Sequence, residues 1–328
     1  MTLSSSFTLN TGAQLASVGL GCWMGVPAGK GTAANAETLT MVKNALEAGY
    51  THFDTAAGYG NEEAVGQALR DSGKPRSSFF VTTKVINHVD LEREFDKSLE
   101  RLGIEYIDLY LMHWPLHMDF ATGKMNGPGE SPTFSETWAR MEKLLETRAG
   151  KVKQIGVSNF SVKNLEILLK SAKVVPAVNQ VEAHPYCPQD PLREYCAEKG
   201  IHLTAYCPVG QYNSPILEEP LVKDLAAKYG KAPGTILLSW GVQRGFSVVP
   251  KSSNPGRLSA NLDLVPLSAQ DLASISALHT QPGKHQSLCD YGPGLAVPGK
   301  VWGWRVKEDL GWEYDVPSKG ENNASFRL

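Results

Sequence analysis

The chain has 328 residues, 42% of them hydrophobic and 20% charged, which is enough apolar side chain for a full globular core and a length that one α/β barrel fills alone. A formal net charge of -2 removes the electrostatic argument for a nucleic-acid or membrane-surface partner. The five cysteines, Cys22, Cys187, Cys196, Cys207 and Cys289, are odd in number and form no CxxC pair and no zinc spacing, which speaks against a disulfide framework or a metal site and for a reducing, cytoplasmic location.

At the N-terminus no basic region precedes an apolar run, so no secretory signal is read there. Phe7–Leu15 reads instead as a hairpin around Asn10-Thr11-Gly12 that would plug the bottom of a barrel. Short runs rich in β-branched and aromatic residues then recur at Ala16–Gly21, Thr51–Asp54, Phe79–Lys84, Ile107–His113, Val152–Ser158, Ala177–Glu182, His202–Tyr206 and Ser247–Pro250, and these predict buried strands. Between them, helical spacing covers Asn35–Ala48, Glu62–Arg70, Leu91–Leu102, Phe134–Thr147, Val162–Ala172, Leu192–Glu198 and Leu221–Tyr229, with Ser161 and Asn254 as N-caps. No stretch is apolar for long enough to span a bilayer.

Eight strands alternating with helices predict a parallel sheet closed into a (β/α)8 TIM barrel, one α/β domain over residues 1–328. The rival is an open doubly wound sheet, which carries a GxGxxG turn after its first strand. Here that turn reads Gly19-Leu20-Gly21-Cys22-Trp23-Met24-Gly25, with the third glycine one residue late. Two segments stand outside the repeat: a long loop at Pro115–Pro132, and a tail over 282–328 rich in Gly, Pro and Trp, expected to help wall a pocket.

Polar residues close seven of the eight runs: Asp54, Lys84, His113, Ser158-Asn159, Asn179-Gln180, Tyr206 and Lys251-Ser252-Ser253. In a barrel all these ends share the face that hosts active sites. Tyr59 follows Asp54 in a Gly-rich loop. A free tyrosine, with a pKa of about 10, is a poor acid at neutral pH. A neighbouring lysine ammonium is expected to lower that value, an aspartate to hold the lysine, and a neutral histidine to donate to a carbonyl oxygen. That set suits the addition of hydride and proton to a carbonyl, the hydride coming from a cofactor.

The motifs that carry these residues resemble those of the aldo-keto reductases. They are Phe53-Asp54-Thr55-Ala56-Ala57-Gly58-Tyr59-Gly60-Asn61-Glu62, Lys84 after Phe80-Val81-Thr82-Thr83, and His113-Trp114-Pro115 after Tyr110-Leu111-Met112. Gly156-Val157-Ser158-Asn159-Phe160, Asn179-Gln180-Val181-Glu182, and Val249-Pro250-Lys251-Ser252-Ser253 with Arg257 and Asn261 complete a likeness spanning about Leu9 to Leu278. The resemblance implies that Tyr59 is the general acid, tuned by Asp54 and Lys84, with His113 orienting the carbonyl. It implies NADPH or NADP+ as cofactor: Ser158, Asn159 and Gln180 on the nicotinamide carboxamide, Tyr206 stacked on its ring, Lys251, Ser252 and Arg257 at the 2′-phosphate with Ser253 also lining the cofactor, and Asn261 at the adenine. Trp23, Pro208 and Val209 would also face the cofactor, and Trp23 and Trp114 would line a small-molecule carbonyl pocket with Tyr59 and His113. Two cations and a hydroxyl at a strand-to-helix junction make a good phosphate site and favour NADPH over NADH.

The chain departs from the family pattern after Tyr206, where Cys207-Pro208-Val209-Gly210-Gln211 stands in place of Ser-Pro-Leu-Gly-Ser, and at Ala260, where an acidic residue is usual. These changes imply a different closure over the pyrophosphate and a looser adenine pocket. Val301-Trp302-Gly303-Trp304 resembles fungal sugar and polyol reductases. The function implied is reduction of aldehydes, aldoses or ketones by a monomer or dimer. Oxidation of a polyol such as glycerol, and a cofactor-loaded regulatory subunit with little turnover, remain as alternatives.

Overall fold

The computed structural model describes residues 3–27, 32–119, 122–211, 213–291 and 297–317. The chain opens with an antiparallel hairpin, β1 (Ser6–Thr8) and β2 (Gln14–Ala16), in which Phe7 faces Leu15. Leu9 and Leu15 pack into a small cluster with Leu109, Leu111, Ala177 and Val178 from the strands, and Asn10 Nδ2 donates to the Pro176 carbonyl at 3.1 Å. The hairpin therefore closes the end of the barrel opposite the strand C-termini.

Barrel strands and helices then alternate: β3 (Leu20–Gly21), α1 (Ala33–Ala48), β4 (His52–Asp54), α2 (Glu62–Asp71), β5 (Phe80–Val85), α3 (Leu91–Leu102) and β6 (Ile107–Met112). A short hairpin follows, β7 (Met118–Asp119) and β8 (Lys124–Met125), inside the segment expected to be a plain loop. The second half comprises α4 (Phe134–Thr147), β9 (Val152–Ser158), α5 (Val162–Leu169), β10 (Val178–Glu182), α6 (Asp190–Glu198) and β11 (His202–Tyr206). It ends with α7 (Pro220–Tyr229), α8 (Pro233–Gln243), β12 (Ser247–Val249), α9 (Pro255–Leu262) and α10 (Ala269–Ser276). The tail carries one more hairpin, β13 (Lys300–Val301) and β14 (Trp304–Arg305).

Strands β3, β4, β5, β6, β9, β10, β11 and β12 form one parallel sheet in that order. Its two outer strands meet: Val18 bridges Val248, Gly19 N donates to the Val248 carbonyl at 2.8 Å, and Gly21 N to the Pro250 carbonyl at 3.0 Å. The sheet is thus a closed (β/α)8 barrel.

Local chemistry explains several helix starts. Thr32 and Ser161 accept from the backbone N–H three residues on, and Thr133 with Glu136 forms a capping box. Proline occupies the first turn of α7, α8 and α9, where its missing N–H is harmless. Helix α8 has no amphipathic period because Thr235 through Val242 are all buried, which is why spacing alone does not reveal it. Among the described residues no helix is long and apolar enough to cross a membrane.

Candidate active site

Because the strands are parallel, their C-terminal residues meet at one mouth. Asp54 ends β4, Lys84 lies next to last in β5, His113 follows β6, Ser158 ends β9, Glu182 ends β10 and Tyr206 ends β11. The ladder sets neighbours level: Gln180 faces both Ser158 and Thr204, and Glu182 faces Tyr206.

Lys84 is fully buried, and its Nζ donates to Asp54 Oδ1 at 2.6 Å and to the Thr55 carbonyl at 2.9 Å. The other Asp54 oxygen accepts from Gln180 Nε2 at 2.6 Å. Both carboxylate oxygens are thereby satisfied, as a buried charge requires.

Tyr59 sits in a single helical turn, Ala57–Tyr59, directly after β4. That turn is held by Asn61, whose Oδ1 accepts from Thr55 Oγ1 at 2.8 Å and whose Nδ2 donates to the Cys22 carbonyl at 2.7 Å. Sequence reasoning gave Asn61 no role; its burial, with 0% exposure, is what reveals one. The half-buried Tyr59 ring lies 5.0 Å from Lys84 Nζ, 5.0 Å from the Trp23 ring and 5.6 Å from the His113 ring, which it meets edge-on.

Burial, followed by the Asp54 charge, raises the Tyr59 pKa well above its ordinary value. The net shift is therefore opposite in sign to the one expected from Lys84, because burial and the Asp54 charge outweigh the ammonium. Lys84 is paired at contact with Asp54, and its ammonium lies over the Tyr59 ring rather than bonding to the hydroxyl. Burial, with the Lys84 charge second, lowers the His113 pKa well below the ordinary histidine value, so its imidazole is neutral.

On the far side of the mouth, Ser158 Oγ donates to the Gln180 carbonyl at 2.8 Å, and Asn159 Nδ2 donates to the His113 carbonyl at 2.9 Å. Tyr206 donates its hydroxyl proton to Asn159 Oδ1 at 2.7 Å. Asn159 has φ 67° and Cys207 φ 46°. The left-handed region is unfavourable for an L-residue, mildly for Asn and more so for Cys, and such strain concentrates where side chains must be aimed. Pro208 is buried and Val209 half-buried in the turn that follows.

The second expected cluster lies beyond β12. Lys251, Ser253 and Arg257 are exposed and Ser252 is buried. Asn254 caps α9 by accepting from Arg257 N at 2.9 Å, and Arg257 Nε lies 3.3 Å from Ser252 Oγ. Partial desolvation of the ammonium at the junction lowers the Lys251 pKa; Glu37 opposes this, and the Arg257 charge adds to it least. Among the described residues neither Lys251 nor Arg257 is in an ion pair, so both charges stand at the start of α9. Asn261 is half-buried and bonds to the Tyr50 hydroxyl.

The tail crosses the mouth. Trp114 meets Tyr291 at 5.6 Å and Trp302 at 6.4 Å, both edge-on, and Trp312 at 5.8 Å. Trp302 has φ 52° in the two-residue turn Trp302-Gly303. Trp304 Nε1 donates to the Asn126 carbonyl at 2.8 Å, tying the tail to the loop after β6.

The model of the aldo/keto reductase family matches residues 17–280. The chain is 44% identical over 295 residues to a glycerol 2-dehydrogenase (NADP(+)) of Saccharomyces cerevisiae, covering 84% of this chain and 91% of that protein. It is 38% identical over 332 residues to a D-galacturonate reductase of Hypocrea jecorina, covering 97% of this chain and 99% of the relative. Its fold is similar, with a TM-score of 0.77 and 32% identity over 88% of this chain and 96% of the other, to an aldo-keto reductase of Bombyx mori solved in complex with NADP. The barrel, its motifs and these likenesses agree: the chain belongs to the aldo/keto reductase family.

Proposed function

We propose that this protein reduces aldehydes, aldoses or ketones to alcohols with NADPH, Tyr59 supplying the proton. The observation that carries the reading is the placement of the Tyr59 ring between the buried Lys84–Asp54 pair and the neutral His113. Bound at the mouth, NADPH supplies the hydride that goes to the carbonyl carbon. The Tyr59 hydroxyl gives its proton to the carbonyl oxygen, and His113 donates an N–H to the same oxygen as negative charge develops there. The raised pKa keeps Tyr59 protonated until a substrate arrives. Lys84, 5.0 Å from the ring, stabilises the phenolate that proton transfer leaves.

The residues present fit the cofactor. Lys251, Ser252, Ser253 and Arg257 form a cationic junction at the capped start of α9 suited to a 2′-phosphate, with Asn261 beside the adenine. Ser158, Asn159 and Gln180 would hold the carboxamide, Tyr206 would stack on the nicotinamide, and Trp23, Pro208 and Val209 would border it. Trp23, Trp114 and the described part of the tail, 282–291 and 297–317, would wall the carbonyl pocket, Trp302 being half-buried and edge-on to Trp114; the rest of the 282–328 segment lies outside the described residues. Five free cysteines, four of them buried, support a cytosolic setting.

The similarity to a glycerol 2-dehydrogenase favours a second reading, oxidation of a polyol with NADP+ at the same residues run in reverse. A panel of aldoses, short aldehydes, ketones and polyols, compared by kcat/KM in both directions, separates the two. Tyr59→Phe should lower turnover by about 10²–10⁴-fold while NADPH still quenches tryptophan fluorescence. Near-normal reduction by that variant would remove Tyr59 as the proton donor.

A further inference from the structure

Behind the mouth lies a carboxylate that the chemistry above does not use. Glu182 ends β10 two residues past Gln180 and is fully buried. Its Oε1 accepts from His184 Nε2 at 2.8 Å and from Leu288 N at 2.6 Å, and its Oε2 accepts from Ser287 Oγ at 2.6 Å and from the Tyr291 hydroxyl at 2.7 Å. Three of these four donors belong to the tail. Burial pushes the carboxyl's pKa up, but the His184 interaction and the Ser287 and Tyr291 bonds outweigh it, and Glu182 lies below the usual carboxylate value. It is an anion, and bonds to it are charge-assisted.

The chain of bonds continues from there into the mouth. The Tyr291 hydroxyl lies 3.2 Å from the Tyr206 hydroxyl, which lies 2.7 Å from Asn159 Oδ1. Two hydroxyl protons thus serve three contacts. Glu182 takes the Tyr291 proton, so the Tyr291 oxygen faces Tyr206 as an acceptor. Tyr206 has two acceptors for its single proton, Asn159 Oδ1 and Tyr291. Edge contact with Trp114 at 5.6 Å and a tilted contact with Trp312 at 5.9 Å brace the Tyr291 ring.

We propose that Tyr291, anchored on Glu182, is a positioning residue for the nicotinamide: it accepts the Tyr206 proton when a carboxamide N–H takes over Asn159 Oδ1. This rests on the assignment of Asn159 and Tyr206 to the nicotinamide. Without Tyr291, a carboxamide that claims Asn159 would leave the Tyr206 hydroxyl without an acceptor. With it, the Tyr206 ring stays fixed while its proton changes partner. The tail is then part of the cofactor clamp as well as a wall of the substrate pocket.

The test compares binding of three ligands by tryptophan fluorescence and calorimetry: NADPH, its 3-acetylpyridine analogue, and adenosine 2′,5′-bisphosphate. The acetyl group has no N–H and leaves the Tyr206–Asn159 bond in place. Tyr291→Phe keeps the ring and should weaken NADPH about 3- to 10-fold, the worth of one hydrogen bond, while the analogue and the bisphosphate change by less than about twofold. Glu182→Gln should weaken NADPH in the same sense and add nothing in the Tyr291→Phe background. Should Glu182→Gln fail to fold, the tyrosine variant still decides. Equal weakening of both dinucleotides would mean a general loosening of the tail, and no weakening of NADPH would mean no role; either overturns the proposal. Asn159→Gly, a change its positive φ tolerates, tests the assignment beneath it. An unchanged ratio of NADPH to analogue in that variant removes the carboxamide clamp itself. A changed ratio there with no effect of Tyr291→Phe removes only the tyrosine step.

Discussion

At Tyr59 and His113, burial sets the protonation that reduction requires. The phenol is raised well above its ordinary 10.0, and the imidazole is lowered well below its ordinary 6.5. In the proposed reaction the active form of Tyr59 is the protonated one, lost only as pH rises through its raised pKa. In the same reaction the active form of His113 is the neutral one, lost only as pH falls through its lowered pKa. Reduction should therefore show a kcat/KM plateau across the interval from 6.5 to 10.0, measured with a saturating cofactor and a non-ionising aldehyde. A bend inside that interval would show that another group, or a Tyr59 acidified by bound cofactor, governs the step. The sequence placed these two residues beside Lys84 and Asp54 but read the sign of the Tyr59 shift from proximity to lysine. Burial, which outweighs every charge acting on that phenol, depends on the packing of Trp23 and the mouth around it and is not written in local sequence.

Strand ends were the most legible elements, because seven of the eight buried runs stop at a polar residue and parallel pairing brings the stops together. Helix α8 was not legible, since burial on every side erases its period. Glu182 was quoted within a motif without a role, because Tyr291 meets it across 109 positions of sequence. The junction between β12 and α9 was legible in both composition and capping. Asn254 fixes the first turn of α9, and that turn presents Arg257 beside Ser252 and Lys251. Hydrogen bonds to a charged partner contribute about 1.5–3 kcal/mol, so Arg257→Ala should raise the Kd of NADPH roughly 10- to 100-fold. NADH, lacking the 2′-phosphate, should change by less than about twofold. Equal weakening of the two cofactors in a binding titration would remove phosphate recognition from this junction.

The whole barrel depends on one seam, where the first strand meets the last. Gly21 lies in that seam, its N–H bonded to the Pro250 carbonyl at 3.0 Å. A Cβ at Gly21 would sit 2.5 Å from the Val249 carbonyl oxygen, a backbone atom that cannot swing aside. The strand that would have to retreat is the one leading into Lys251 and Ser252, so closure of the fold and shape of the cationic junction are mechanically linked. Gly21→Ala should lower the unfolding free energy by about 1–3 kcal/mol, the usual cost of overpacking, seen as a lower urea midpoint with an unchanged m-value. It should also weaken NADPH, since the end of β12 must shift. Gly234→Ala gives the contrast: in the first turn of α8 its nearest added contact is Val209 Cγ1 at 3.9 Å, and alanine there should be neutral or stabilise by up to about 1 kcal/mol. If Gly21→Ala were as well tolerated as Gly234→Ala in both stability and NADPH binding, the seam would not be the close contact that couples barrel closure to the cofactor junction.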